Sequence, residues 1–338
     1  MFRVKRFACL LAILAGQGAA AALPEPARSA PQLPPILALR ALDQRVAEVG
    51  FRLSTANAAL CRDLQWQPGW VVHDLSQYAR RNHPEAIAAF GFADGPSILA
   101  LVPGGPADRA GLRPDDVLFS ADNVPLPKAP AAAHDTFAPT ERILEALEAA
   151  LADGSAELRI RRGTASLTLR LNPVRGCASR FQLIPSERAD ARANGQYVQL
   201  TSAMVEFAKD DHELAAFIAH ELAHNVLRHR LRLNAAGVER GLLANFGRSA
   251  RLFRETELEA DRMAIYLMER AGFDPRAAVR LWVRQSQNAS RFPSSGTHPA
   301  WSARIAAMEA EIQAIARLKA ERREVRPPAF EGELPPGA

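Results

Sequence analysis

Phe217-Ile218-Ala219-His220-Glu221-Leu222-Ala223-His224-Asn225-Val226-Leu227 is the stretch whose reading decides the fold. Its apolar residues recur at helical spacing. Residues four apart on a helix differ by about 40° in azimuth, so His220 and His224 stack on one face and can hold one ion through their ring nitrogens. Glu221 projects beside them and is placed to take a proton from a water without being a ligand itself. With 8 histidines and 37 acidic residues in 338, a His-acid-x-x-His match arises by chance in about 2% of shuffled sequences. Chance therefore leaves a helix with two solvated histidines open. The surroundings argue against it, because the stretch is apolar on most sides and unpaired His and Glu are costly to bury.

Catalytic zinc usually takes three protein ligands and a water, so a third ligand is due on a following helix. Downstream, Glu255-Thr256-Glu257-Leu258-Glu259-Ala260-Asp261 supplies an E-x-x-x-D pair in which Glu257 and Asp261 share one helical face. Glu257 would complete a His₂Glu site. Asp261 would accept the second N–H of a ligand histidine and fix its tautomer. Glu255 and Glu259 are rival ligands, with a solvated acidic face as the plainer alternative, and spacing alone does not separate the three. Two further histidines, His212 and His229, lie near the motif. His229 falls half a turn out of phase with His220 and reads as structural.

Taken together, His220-Glu221-Leu-Ala-His224, Glu257-Leu-Glu-Ala-Asp261-Arg262, the turn Ala271-Gly-Phe-Asp-Pro275, and Thr297-His298-Pro299 with Arg304 resemble the gluzincin zinc metallopeptidases that include HtpX, BepA and the CAAX prenyl proteases. The resemblance spans about residues 177–315. It implies one zinc ion per chain, peptide-bond hydrolysis, and a mostly helical domain with a small sheet. By the same resemblance the third ligand is Glu257, Arg304 stands with Asp261 behind the ligands, and His298 faces the metal. Two roles for His298 follow: its N–H stabilises the oxyanion, or its ring closes the open metal position until a loop moves. The flexible Ser294-Ser295-Gly296 ahead of it suits the gate. Asn194–Thr201 stands where the family has the edge strand that pairs with substrate. HtpX and the prenyl proteases carry membrane helices and this chain shows none, so membrane or prenylated substrates are not implied.

Between about residues 85 and 173 short apolar runs are divided by Gly and Pro. Leu158 and Ile160, then Arg162-Gly163, then Leu167, Leu169 and Leu171 read as a hairpin. Pro106-Ala107, Ala110-Gly111-Leu112 and Asp115-Asp116 resemble a bacterial PDZ domain, although Asp115 stands where that family usually has Gly. The resemblance implies that a helix at Thr140–Leu151 lines a groove for an extended peptide. It also places the carboxylate-binding loop at Phe90-Gly91-Phe92. The Pro- and Ala-rich insert at residues 125–139 departs from the pattern.

The chain opens with Arg3, Lys5 and Arg6, an apolar run from Phe7 to Leu14 and then small residues, the plan of a cleaved secretory leader ending near residue 22. Gly16-Gln17-Gly18 interrupts the run before it is long enough to span a bilayer. The net charge of +5 falls to +2 once those three basic residues leave with the leader, which removes the case for nucleic acid. Cys9 leaves too. Cys61 and Cys177 remain, and in an oxidising compartment they read as a disulfide that pins the N-terminal helix to the peptidase.

The expected architecture is α+β: a leader at 1–22, an N-terminal helical segment at 23–84 packing on the peptidase, a PDZ-like domain at 85–173, a zincin-type metallopeptidase domain at 174–324 and a disordered tail at 325–338. Helices are expected at 36–61, 211–231, 254–270, 275–287 and 299–323. The expected function is a zinc metalloendopeptidase acting on exported, periplasmic or other envelope proteins, with a PDZ-like domain that binds substrate or partner peptides. A zinc-stabilised holdase is the competing reading, and the intact Glu221 argues against it, because a binding protein needs no base there. A self-inhibited zymogen is a third.

Overall fold

The computed structural model describes residues 35–92, 95–130, 133–238, 247–288 and 299–328. The fold is α+β. The leader, residues 329–338 and His298 lie outside the described residues.

Helix α1 (Pro35–Ala56) starts on a proline, whose missing N–H costs nothing at that position. It buries Val46, Val49 and Leu53 against the main core. Gly50 is required here: a Cβ at this position would sit 2.4 Å from the Phe181 ring. A short 3₁₀ turn follows, and Cys61 is bonded to Cys177 with the Cα atoms 5.3 Å apart. Strand β1 (Leu64–Gln67) pairs antiparallel with β8 (Val174–Cys177), so the chain leaves the helical body and returns to it through one two-stranded neck.

The described residues between β1 and β8 form the β-rich unit. It contains β2 (Trp70–His73), α2 (His83–Phe90), β3 (Ser97–Leu101), α3 (Pro106–Arg109), β4 (Val117–Ala121), β5 (Val124–Pro125), α4 (Ala138–Ala150), β6 (Ala156–Arg162) and β7 (Ala165–Leu171). The sheet order is β2-β3-β4-β6-β7, with β5 on β4. The sheet therefore reaches back to Trp70, ahead of the boundary expected at residue 85, because β2 is its edge strand. Ile98, Leu118, Leu158 and Ile160 pack on Ile143 and Leu147 of α4. Leu99 points to the other face, where it joins Ile36, Phe90 and Phe92. Asp115, standing where a glycine was expected, has φ +70, a conformation that Asp tolerates better than most residues.

The expected position of the carboxylate-binding loop is corrected. Phe90 and Phe92 are buried in an aromatic cluster with His73 and Tyr78, with ring centroids 4.4 to 6.1 Å apart. The loop leading into the free edge strand is Pro68-Gly69 instead.

The helical body follows β8. Strands β9 (Arg180–Ile184), β10 (Ala191–Ala193) and β11 (Tyr197–Thr201) form a sheet of order β10-β11-β9. The expectation that Asn194–Thr201 is an edge is overturned: β11 is central, parallel to β9 and antiparallel to β10, which are the two edges. Then come α5 (Ser202–Phe207), α6 (Asp211–Val226), α7 (His229–Ala235), α8 (Gly247–Arg270), α9 (Arg276–Ser286) and α10 (Trp301–Ala320). The single helix expected at 211–231 is broken, with Arg228 left-handed at φ +52 between α6 and α7. Leu214, Phe217, Ile218 and Leu222 of α6 pack with Met263, Leu267, Leu281, Trp282 and Met308. No helix among the described residues is long and apolar enough to cross a membrane.

Candidate metal centre

Asp210 caps α6 by accepting the backbone N–H of Glu213 at 2.8 Å, and Glu213 accepts the Lys209 N–H at 2.8 Å. Glu213 also pairs with Arg284 of α9, which ties this end of α6 to its neighbour. Farther along, Asn225 donates to Ser179 Oγ and the Tyr197 carbonyl and accepts from the Gly195 N–H at 2.8 Å. The helix is thus anchored to α9 at one end and to the sheet at the other.

On this fixed helix His220 Nε2 and His224 Nε2 lie 3.2 Å apart. Glu257 of α8 brings one oxygen to 3.5 Å from the first and the other to 3.4 Å from the second. Zinc bonds of about 2.0–2.1 Å at tetrahedral angles put neighbouring donors about 3.3–3.4 Å apart. The three side chains fit one face of a zinc tetrahedron, and they are the single group of His, Cys, Asp and Glu among the described residues gathered closely enough to hold a metal ion. The two rival acids are elsewhere. Glu255 is exposed and sits 3.6 Å from Arg251, while Glu259 faces His229.

The electrostatics suit a cation. Burial alone would raise the Glu257 carboxyl, but the His220 hydrogen bond and the fields of His224 and Arg304 hold it well below the usual carboxylate range. Burial opposes a charged His220, yet Asp261 and Glu257 push it up to about 10. For His224 burial dominates and keeps the ring neutral. Burial lifts Glu221, the neighbour of His220, to about 7, with Glu257 adding to the rise and His220 and Arg304 opposing it.

Behind these three side chains, Asp261 is fully buried, and its Oδ1 lies 3.0 Å from His220 Nδ1. Arg304 of α10 grips it with two bonds, of 2.6 and 2.7 Å, and also comes within 3.6 Å of Glu257. His229, read from its phase as merely structural, is a further member of the site: its Nδ1 lies 2.9 Å from His224 Nδ1, and its Nε2 lies 3.0 Å from Glu259 Oε2. Arg232 holds Glu259 in turn, at 2.6 Å. A left-handed Arg228 carried no sequence signal, so the phase that returns His229 to the site could not be read. His212 is not at the site; its ring accepts the Asp274 N–H.

Two parts of the chain resemble known proteins. Residues 179–250 and 239–312 match the profile of peptidase family M48, and residues 97–162 match a PDZ domain. The mitochondrial metalloendopeptidase OMA1 of Schizosaccharomyces pombe is 31% identical over 137 residues, covering 34% of this chain and 41% of that protein. The beta-barrel assembly-enhancing protease of Escherichia coli is 29% identical over 159 residues, covering 37% of this chain and 33% of that protein. The chain thus spans well under half the length of either relative. A crystal structure of the HtrA3 PDZ domain bound to a phage-derived ligand aligns over 33% of this chain and 89% of its own, at 17% identity and a TM-score of 0.24, too low to argue from. The profile matches show that this chain carries a peptidase family M48 domain over residues 179–312 together with a PDZ domain over residues 97–162.

Proposed function

We propose that the protein is a zinc-dependent endopeptidase of exported or envelope proteins, most suited to the periplasm, whose PDZ domain holds a substrate or partner peptide. The observation that carries this reading is the triangle of His220, His224 and Glu257 with Glu221 beside it. Zinc bound there would polarise the scissile carbonyl and acidify a water. Glu221 accepts a proton as that water attacks the carbonyl carbon, and delivers it to the departing amine nitrogen as the C–N bond breaks. A carboxyl lifted by burial is suited to both halves of that transfer. Asp261 and Arg304 hold His220, and the free edge of β10 offers backbone groups to an extended substrate. The Cys61–Cys177 bond supports an oxidising compartment.

His298, outside the described residues, is read as a gate in the resting enzyme. His298→Ala is then expected to raise turnover of an unfolded protein; a loss would assign it to the oxyanion, and no change would dismiss both roles. For the main reading, Glu221→Gln is expected to abolish proteolysis while metal analysis still finds about one zinc per chain. Zinc lost together with Glu221 would remove it from the role of base.

A further inference from the structure

β2 is the outermost strand of the PDZ sheet, paired with β3 on one side only. A cavity of about 560 Å³ lies along it, lined by Leu144 and Leu147 of α4 on the PDZ side and by Arg180, Phe181 and Leu183 of β9 on the peptidase side. An extended peptide adds to such an edge backbone to backbone, and its alternate side chains then enter the cavity. Because β9 and α1 form part of the wall, what enters is read by both domains.

Asp43 of α1 also lines the cavity. It takes no hydrogen bond and no ion pair from any described residue, and burial pushes its carboxyl up to about 7. Of the three arginines that line the cavity, Arg40, Arg81 and Arg180, two are held by other groups. Arg40 gives Nε to the Leu99 carbonyl at 2.7 Å and Nη2 to Asp115 at 3.0 Å. Arg180 holds both oxygens of Glu148 on α4, each at 2.6 Å. The nearby Tyr78 hydroxyl is engaged with His73 Nδ1 at 2.9 Å, and His73 Nε2 with Ser97 at 2.8 Å. Asp43 is therefore a carboxyl group in a poorly solvated place with no hydrogen-bond or ion-pair partner among the described residues, and a cation brought beside it would favour its charged form.

We infer that this cavity selects peptide segments bearing a lysine or arginine, whose charged end Asp43 receives while the peptide backbone adds to β2. The inference rests on the reading that the PDZ domain binds peptides, and it names the chemistry of what is bound. A charge-assisted contact of this kind is worth about tenfold or more in affinity.

The test uses the full chain carrying Glu221→Gln, so that nothing is cut. It is titrated with fluorescent decapeptides of alternating Val and Thr that carry one lysine at each position in turn, and with the same series carrying norleucine. At one or two registers the lysine peptide is expected to bind about tenfold more tightly. Adding Asp43→Asn is expected to bring it down to the norleucine level at that register while affinities at the other registers are unchanged, which also shows that the fold is intact. Equal affinity of the two series at every register would overturn the inference and leave the peptide-binding reading standing. No binding by either series, in the full chain or in one lacking residues 1–34, would overturn that reading itself. A lysine preference that survives Asp43→Asn would remove Asp43 from the role. Binding that appears only in a chain lacking residues 1–34 would make this chain's own N-terminal segment the occupant, and would likewise overturn the proposal.

Discussion

The Nδ1 atoms of His224 and His229 lie 2.9 Å apart, so one ring must donate and the other accept. Glu259, held below its usual range by His229 and Arg232 against the effect of burial, can only accept. His229 therefore donates from Nε2 to Glu259 and accepts at Nδ1 from His224, which leaves His224 Nε2 free of a proton and facing the metal position. His229→Ala is expected to weaken zinc binding by about 10- to 100-fold, measured by competition with a chelator. Glu259→Ala, one step farther out, should cost about tenfold or less. Unchanged affinity in both variants would reduce the relay to a packing contact.

Glu257→Ala should empty the metal site and abolish activity, whereas Glu255→Ala should do neither, because Glu255 is exposed beside Arg251. Metal stoichiometry of the two purified variants decides the matter. Zinc retained by Glu257→Ala would mean that another acid is the ligand.

Arg304 and Asp261 are both buried and joined by two short bonds. Arg304→Ala leaves the carboxylate alone in the core and should destabilise the chain by about 3–5 kcal/mol in urea unfolding. Arg304→Lys keeps the charge but loses the two-point grip, and should fall between the two. A loss below about 1 kcal/mol for Arg304→Ala would mean that water or a neighbour replaces the guanidinium.

The Cys61–Cys177 bond closes a separation of 116 residues that contains the entire PDZ unit. In the chain-entropy view such a closure contributes about 4–5 kcal/mol. The Cys61→Ser, Cys177→Ser chain should therefore unfold at distinctly lower denaturant. Intact mass of the native protein should be about 2 Da below that of the reduced form; two alkylatable thiols in native protein would contradict the bond.

Local periodicity by itself determined that His220 and His224 share a face, because both sit on one unbroken helix where four residues set the geometry. It also determined the hairpin at 156–171 and the α+β class, since alternation and helical spacing are properties of short segments. Which of three acids approaches those histidines was beyond it: Glu255, Glu257 and Glu259 differ only in azimuth on α8, and the packing of α8 on α6 turns Glu257 inward. The role of His229 depended on one left-handed residue, Arg228, which breaks the helix and resets its phase. Likewise β11 proved central and β2 proved the edge, because strand order is settled by long-range pairing that no run of residues encodes on its own. The unbalanced Asp43 belongs to the same class: on α1 it is one more polar position, and only the closing of two domains around it takes away the water that would have solvated its charge.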